Sequence, residues 1–153
     1  MKVVTFNIRC DYGQDGLNEF ANRKELILRK INQEKPDIIG FQEVLPHVAK
    51  WLKENLNEYY VIGCGRGANL RDEQMSIAYR RDRINLISMK TWWLSQTPDV
   101  PGSRYEEQSS CPRTATEAVF EDIKNDKVFR FINTHLDHIG AQAREKGLTQ
   151  IIN

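Results

Sequence analysis

Apolar and polar positions follow two periods along this chain, and each change of period marks an element. Val3-Val4-Thr5-Phe6-Asn7-Ile8 is rich in β-branched and aromatic residues and predicts a strand. Loop signals run from Asp11 to Gly16. Asn18 to Glu34 then carries Phe20, Ile27 and Ile31 at roughly helical spacing, with Asn18 as the expected cap. Pro36 stops that helix, and Asp37 to Phe41 is a short, nearly wholly apolar run of the kind found in strands buried on both faces. Strand, helix and strand within about 40 residues predict helices packed on a sheet.

Pro46 to Leu56 predicts a second helix with Val48, Trp51, Leu52 and Leu56 inward, followed by a strand at Tyr59 to Ile62 and a glycine-bearing loop, Gly63 to Asn69. Met75 to Tyr79 and Ile84 to Leu94 predict strands joined by the charged turn Arg80 to Arg83. Ser95 to Pro112 holds three prolines and little periodicity, which predicts a long surface loop, and loops of that length are often functional. Thr114 to Phe120 and Lys127 to Leu136 read as two strands around the turn Lys124-Asn125-Asp126, and a helix is expected from Ala141 to the end. Its last turn is amphipathic, with Ile151 and Ile152 where a following strand would be expected.

Composition narrows the class. The 153 residues suit one domain with a real core, with 40% apolar and 28% charged residues. A formal net charge of +1 excludes a protein that holds nucleic acid mainly by bulk positive charge, but not an enzyme that grips one phosphate locally. Cys10, Cys64 and Cys111 form no metal-binding pattern and cannot all pair, so they read as reduced thiols. No apolar run approaches the ~20 residues of a membrane span. MKVVTFNI reads as a core strand rather than a signal region. The default compartment is therefore cytoplasmic, unless a leader has been trimmed.

Three places could carry chemistry. Asn7 and Glu43 end two expected central strands, where open mixed sheets build ligand sites. A carboxylate after Ile38-Ile39-Gly40-Phe41 is costly to bury unless it is paired or binds a cation. In Phe131-Ile132-Asn133-Thr134-His135-Leu136-Asp137-His138, strand alternation puts Asn133, His135 and Asp137 on one face, where they could converge on a ligand. Thr134 to His138 is superficially similar to the strand-end motif of binuclear zinc hydrolases. Asn133 stands where that motif needs its first His, and only His47 remains, too few for zinc at about three protein ligands each.

Thr5-Phe6-Asn7-Ile8-Arg9, Pro36 to Glu43 and Asn133 to His138 resemble, in order and spacing, successive motifs of the endonuclease/exonuclease/phosphatase family. Trp93 to Ser103 and Cys111-Pro112-Arg113-Thr114-Ala115-Thr116 resemble a bacterial branch of it. The resemblance covers essentially all of residues 1–153. It implies a deoxyribonuclease-I-like α/β/β/α sandwich of which this chain supplies the first half, about one mainly antiparallel mixed sheet with its helices.

By the same resemblance the activity is Mg²⁺-dependent phosphoester hydrolysis (Mn²⁺ as substitute) by in-line attack of water, of the phosphodiesterase, nuclease or phosphatase type. Glu43 would be the metal ligand, and Asn7 would sit beside metal and phosphate. His135 would hydrogen-bond the phosphate, and Glu73 would orient His135 within hydrogen-bond reach and favour its charged form. Arg113 would bind substrate phosphate, and Asn133 and Asp137 would support from behind. The substrate would be a phosphate ester: nucleic acid, nucleotide, inositol phosphate or lipid head group. A Gly-Asp-x-Asn strand end and a terminal Asp-His pair, which the family would supply later, have no counterpart here. The chain is therefore expected to be truncated at its C-terminus. Alone it would be a nearly silent fragment or binding module that forms a homodimer through an uncovered sheet face.

Overall fold

The computed structural model describes residues 1–13 and 15–153; Gln14, within the expected Asp11–Gly16 loop, lies outside them. In chain order the strands are β1 (Val3–Asn7), β2 (Ile38–Gln42), β3 (Tyr59–Ile62), β4 (Ile77–Arg80), β5 (Ile84–Trp93), β6 (Thr114–Asp122) and β7 (Lys127–Thr134). The helices are α1 (Phe20–Glu34), α2 (Pro46–Asn55) and α3 (Ala141–Ile152).

One sheet has the order β1-β2-β4-β3, with β1 parallel to β2 and the other pairs antiparallel; the second is the antiparallel β5-β6-β7. The apolar run of β2 is buried throughout because both of its faces are covered. Ile39 and Phe41 face Phe20, Ile27 and Ile31 of α1 and Val48 and Leu52 of α2. On the other face Ile38, Ile77 and Tyr79 pack against Ile84, Ala118 and Phe120 of the second sheet. The outer side of that sheet carries Trp92 and Ala115, with Ile132 alongside, and these meet Ile151 of α3 together with Leu94 and Leu136. Gly147 lets α3 close in, since a Cβ there would stand 3.1 Å from Leu94 Cδ1.

The layers are therefore α1 and α2, sheet, sheet, α3. This corrects the expectation of one sheet with a bare apolar face: residues 1–153 supply strands of both sheets, each covering the other. The face-to-face homodimer loses its basis. What stays open is edges, including β1, where Val3 is 48% exposed, and β7, where Val128 is 62% exposed.

Local departures from the sequence reading have local causes. Asn18 does not cap α1; it closes a 3-10 turn, Gly16–Asn18, and Glu19 takes the cap position with no side-chain cap bond. The Phe20 N–H instead donates to Asp11 Oδ1 at 3.4 Å. Lys35 ends α1 in the left-handed conformation (φ 44°), just ahead of Pro36. Residues 95–113 are irregular as expected, yet Ser95, Gln108, Ser109 and Arg113 are buried, so this is no mere surface loop. Among the described residues no helix is long and apolar enough to cross a membrane.

Asn133 ties the sheets together. Its Nδ2 donates to Phe41 O (2.7 Å) and Ser76 O (2.9 Å), and its Oδ1 accepts from Gln42 Nε2 (2.7 Å). Gly40 faces it so closely that an added Cβ would stand 2.9 Å from Asn133 Oδ1. Gly40→Ala is therefore expected to destabilise by about 1–3 kcal/mol through overpacking against an amide that three hydrogen bonds hold in place. Urea unfolding measures this, and a midpoint equal to wild type would show that the contact yields freely.

Candidate active site

The parallel register of β1 and β2 pairs Asn7 with Gln42, so Asn7 and Glu43 leave the sheet together at the C-terminal strand ends. The backbone then bends sharply, with Arg9 and Glu43 both left-handed (φ 63° and 62°), a conformation that costs free energy in non-glycine residues and clusters at functional sites. Asn7 Nδ2 donates to Glu43 Oε1 at 2.8 Å and the Cys10 N–H to Glu43 Oε2 at 2.7 Å. Asn7 Oδ1 accepts the Arg9 N–H at 2.9 Å, so both ends of its amide orient the strand ends. Burial pushes the Glu43 carboxyl up; the Asn7 and Cys10 hydrogen bonds and the nearby His135 and Arg113 charges outweigh it and hold the group below its ordinary value.

Glu43 opens on a cleft of about 360 Å³ that Glu73, Arg113 and His135 also line, with Tyr12, Arg66 and His138. Sequence reasoning had not singled out these last three. The one available signal was the pair of glycines around Arg66. Arg113 is buried and donates from Nε to Asp137 Oδ1 at 3.3 Å, and its Nη2 lies 2.9 Å from His138 Nδ1. Asp137 also accepts from the Ser109 N–H (3.2 Å), the Ser109 hydroxyl (2.5 Å), and the Ile139 (3.1 Å) and Gly140 (2.7 Å) N–H groups. Burial pushes its carboxyl up, but these donors overcome that and hold it far below the usual carboxylate range.

Of the three residues expected to converge, only His135 lines the cleft. Asn133 lies between the sheets, and Asp137 turns back to fasten Arg113 and the 95–113 segment. The expected hydrogen bond between Glu73 and His135 is not formed. Glu73 Oε1 instead accepts from Tyr12 Oη and Arg66 Nη2, both at 2.9 Å. Buried His135 Nδ1 has no partner among the described residues. Burial and the Arg113 charge lower the His135 pKa against the opposing pull of Glu43 and Glu73, which favours neutral imidazole rather than the expected imidazolium. Burial also pushes the Cys10 thiol up to about 12, which leaves it a poor nucleophile.

The donor chemistry fits a hard cation. Glu43 offers two oxygens at the rim of an open cleft, and Mg²⁺ is commonly held by one or two carboxylates plus waters and substrate oxygens. Among the described residues no three His, Cys, Asp or Glu side chains come together as a metal cage.

A two-sheet sandwich flanked by helices, with its cleft at the strand ends, is the deoxyribonuclease-I-like fold. The chain belongs to the Endonuclease/Exonuclease/phosphatase family, whose model matches residues 4–106. It is similar to the solved endonuclease/exonuclease/phosphatase of Bacteroides vulgatus: 38% identity, TM-score 0.93, over 97% of this chain and 57% of that one. It is also similar to a mannosyl-6-phosphatase of Bacteroides thetaiotaomicron: 32% identity, TM-score 0.93, over 99% of this chain and 57% of that one. An uncharacterized protein of Acanthamoeba polyphaga mimivirus is 29% identical over 145 residues, which is 90% of this chain and 54% of that protein. The chain thus spans little more than half the length of these relatives.

Proposed function

We propose that these residues are the phosphate-gripping part of a Mg²⁺-dependent phosphoester hydrolase. The observation that carries this reading is the carboxylate of Glu43, fixed by Asn7 and Cys10 across one cleft from buried Arg113 and from His135. A cation held there would polarise a phosphoryl oxygen and stabilise charge on the attacking and leaving oxygens. Arg113, backed by Asp137, presents a planar fork to the phosphate, where bidentate binding suits a guanidinium better than an ammonium. Neutral His135 donates a hydrogen bond to a phosphoryl oxygen as charge develops, and Asn7 keeps Glu43 in place. That one relative is a mannosyl-6-phosphatase supports a phosphate ester as the substrate.

Neither cleft glutamate is free to take the proton of the attacking water. Glu43 is held by Asn7 and Cys10, and Glu73 by Arg66 and Tyr12. This favours the second reading for residues 1–153 taken alone, a module that binds phosphate and turns it over slowly. A positioned general base contributes about 10²–10⁴-fold. Hydrolysis of 4-nitrophenyl phosphate with Mg²⁺ is accordingly expected about 10²–10⁴-fold below that of the longer mannosyl-6-phosphatase relative. Equal turnover would show that one of the two glutamates or neutral His135 serves as base. Absence of any Mg²⁺-dependent phosphate-ester binding would sink the hydrolase reading itself.

A further inference from the structure

Arg66 is a cleft residue that this mechanism does not use. It is 3% exposed, and a tight turn between two glycines displays it. The Gly65 and Gly67 N–H groups donate to Leu70 O (3.0 Å) and Arg71 O (2.8 Å), and a Cβ on Gly65 would stand 2.3 Å from Arg71 O. The Arg66 N–H donates to Glu73 O at 3.0 Å, and Arg66 O accepts from Trp93 Nε1 at 2.6 Å, which locks the backbone from both sides. The guanidinium is pinned by Asp72 Oδ2 on Nε (3.2 Å) and Glu73 Oε1 on Nη2 (2.9 Å). Nη1 has no acceptor among the described residues and is not sealed from solvent, although the residue itself lines the cleft. A guanidinium needed only to brace the turn could turn that last nitrogen to bulk water. Arg66 instead lines the same cleft as Glu43, Arg113 and His135.

We infer that Arg66 is a specificity residue that grips the third non-bridging oxygen of a terminal phosphate, making a phosphomonoester the preferred substrate class. A monoester carries three non-bridging oxygens and a diester two. The cleft supplies three separate electrophilic corners: the cation corner at Glu43, Arg113 with His135, and Arg66. A diester would fill two of them and leave Arg66 Nη1 facing an ester oxygen or a carbon group. A charged donor that a bound ligand covers without offering an acceptor is the kind of loss that discriminates strongly between ligands.

This rests on the phosphoester reading, so the test separates the two. Binding of phenyl phosphate and diphenyl phosphate to residues 1–153 is measured by calorimetry with Mg²⁺. Arg66→Gln is expected to weaken phenyl phosphate at least tenfold and diphenyl phosphate less than twofold, while Arg113→Gln weakens both. Equal effects of Arg66→Gln on the two ligands, or none on either, would overturn the assignment and leave the hydrolase reading intact. Wild-type protein that binds neither ligand would overturn both. Should Arg66→Gln not fold by circular dichroism, wild-type protein with ¹⁵N-labelled arginine gives the answer. Arg66→Lys, which keeps a cation beside Asp72 and Glu73, identifies the Arg66 Nε–H signal. That signal is expected to move with phenyl phosphate and stay still with diphenyl phosphate; movement with both, or with neither, would overturn the assignment.

Discussion

Glu43→Gln is expected to lower Mg²⁺ or Mn²⁺ affinity at least tenfold, about 1.4 kcal/mol. The substitution keeps shape and removes the charge that a hard cation would need from a carboxylate ligand. It also sets an amide NH₂ against the Asn7 amide or the Cys10 N–H, both of which now donate to the carboxylate at 2.8 and 2.7 Å. A donor facing a donor turns the side chain out of the geometry in which β1 and the following turn hold it. The loss therefore has two sources, charge and position. Titration calorimetry with each metal, on protein shown by circular dichroism to be folded, measures their sum, and an unchanged affinity would remove Glu43 from the metal site.

Asp137→Asn should cost about 3–5 kcal/mol of stability, the usual penalty for breaking a buried ion pair from one side. Asp137 is 3% exposed and collects the Arg113 guanidinium, the Ser109 hydroxyl and three backbone N–H groups. An asparagine there has one accepting oxygen and presents two unwanted donors, and the Arg113 charge loses its carboxylate. The pH dependence follows from the depressed carboxyl. Its folded pKa lies below the unfolded value of about 3.9. The contribution is therefore complete above that value and drains away as pH falls through the folded one. Urea midpoints of wild type and Asp137→Asn are expected to differ most near neutral pH and to converge below about pH 4. A constant difference down to pH 2 would mean that Asp137 stabilises by packing rather than by charge. Because the same carboxylate backs Arg113, the variant should also bind phenyl phosphate more weakly.

Much of the frame could be read from single stretches of sequence. The run Ile38 to Phe41, flanked by Pro36 and Glu43, specified a strand buried on both faces, since no one-sided strand tolerates four consecutive non-polar residues. Phe20, Ile27 and Ile31 specified the buried face of α1, and Tyr59 to Ile62 coincides with β3. The spacing of Asn7, Glu43 and His135 in three family-like motifs was enough to nominate them, and all three lie at or beside one cleft. The strand and helix readings succeed because each depends on local periodicity.

What failed depended on contacts between distant segments. Alternation put Asn133, His135 and Asp137 on one side of a strand. Alternation cannot say that Asn133 meets Phe41 O and Ser76 O on the other sheet, or that the chain turns after Thr134 and sends Asp137 to Ser109. Nor could it pair Glu73 with Arg66 and Tyr12 in place of His135, since three separate loops fix that network. The count of sheets was missed for the same reason: pairing partners of β5, β6 and β7 are set by side-chain packing across the sandwich, where Phe120 meets Tyr79. Sequence by itself determined which residues were worth burying and which to nominate for a cation or a phosphate. Only the tertiary structure decided which donors each buried charge would find, because that choice is made by packing across the core and not by neighbours along the chain.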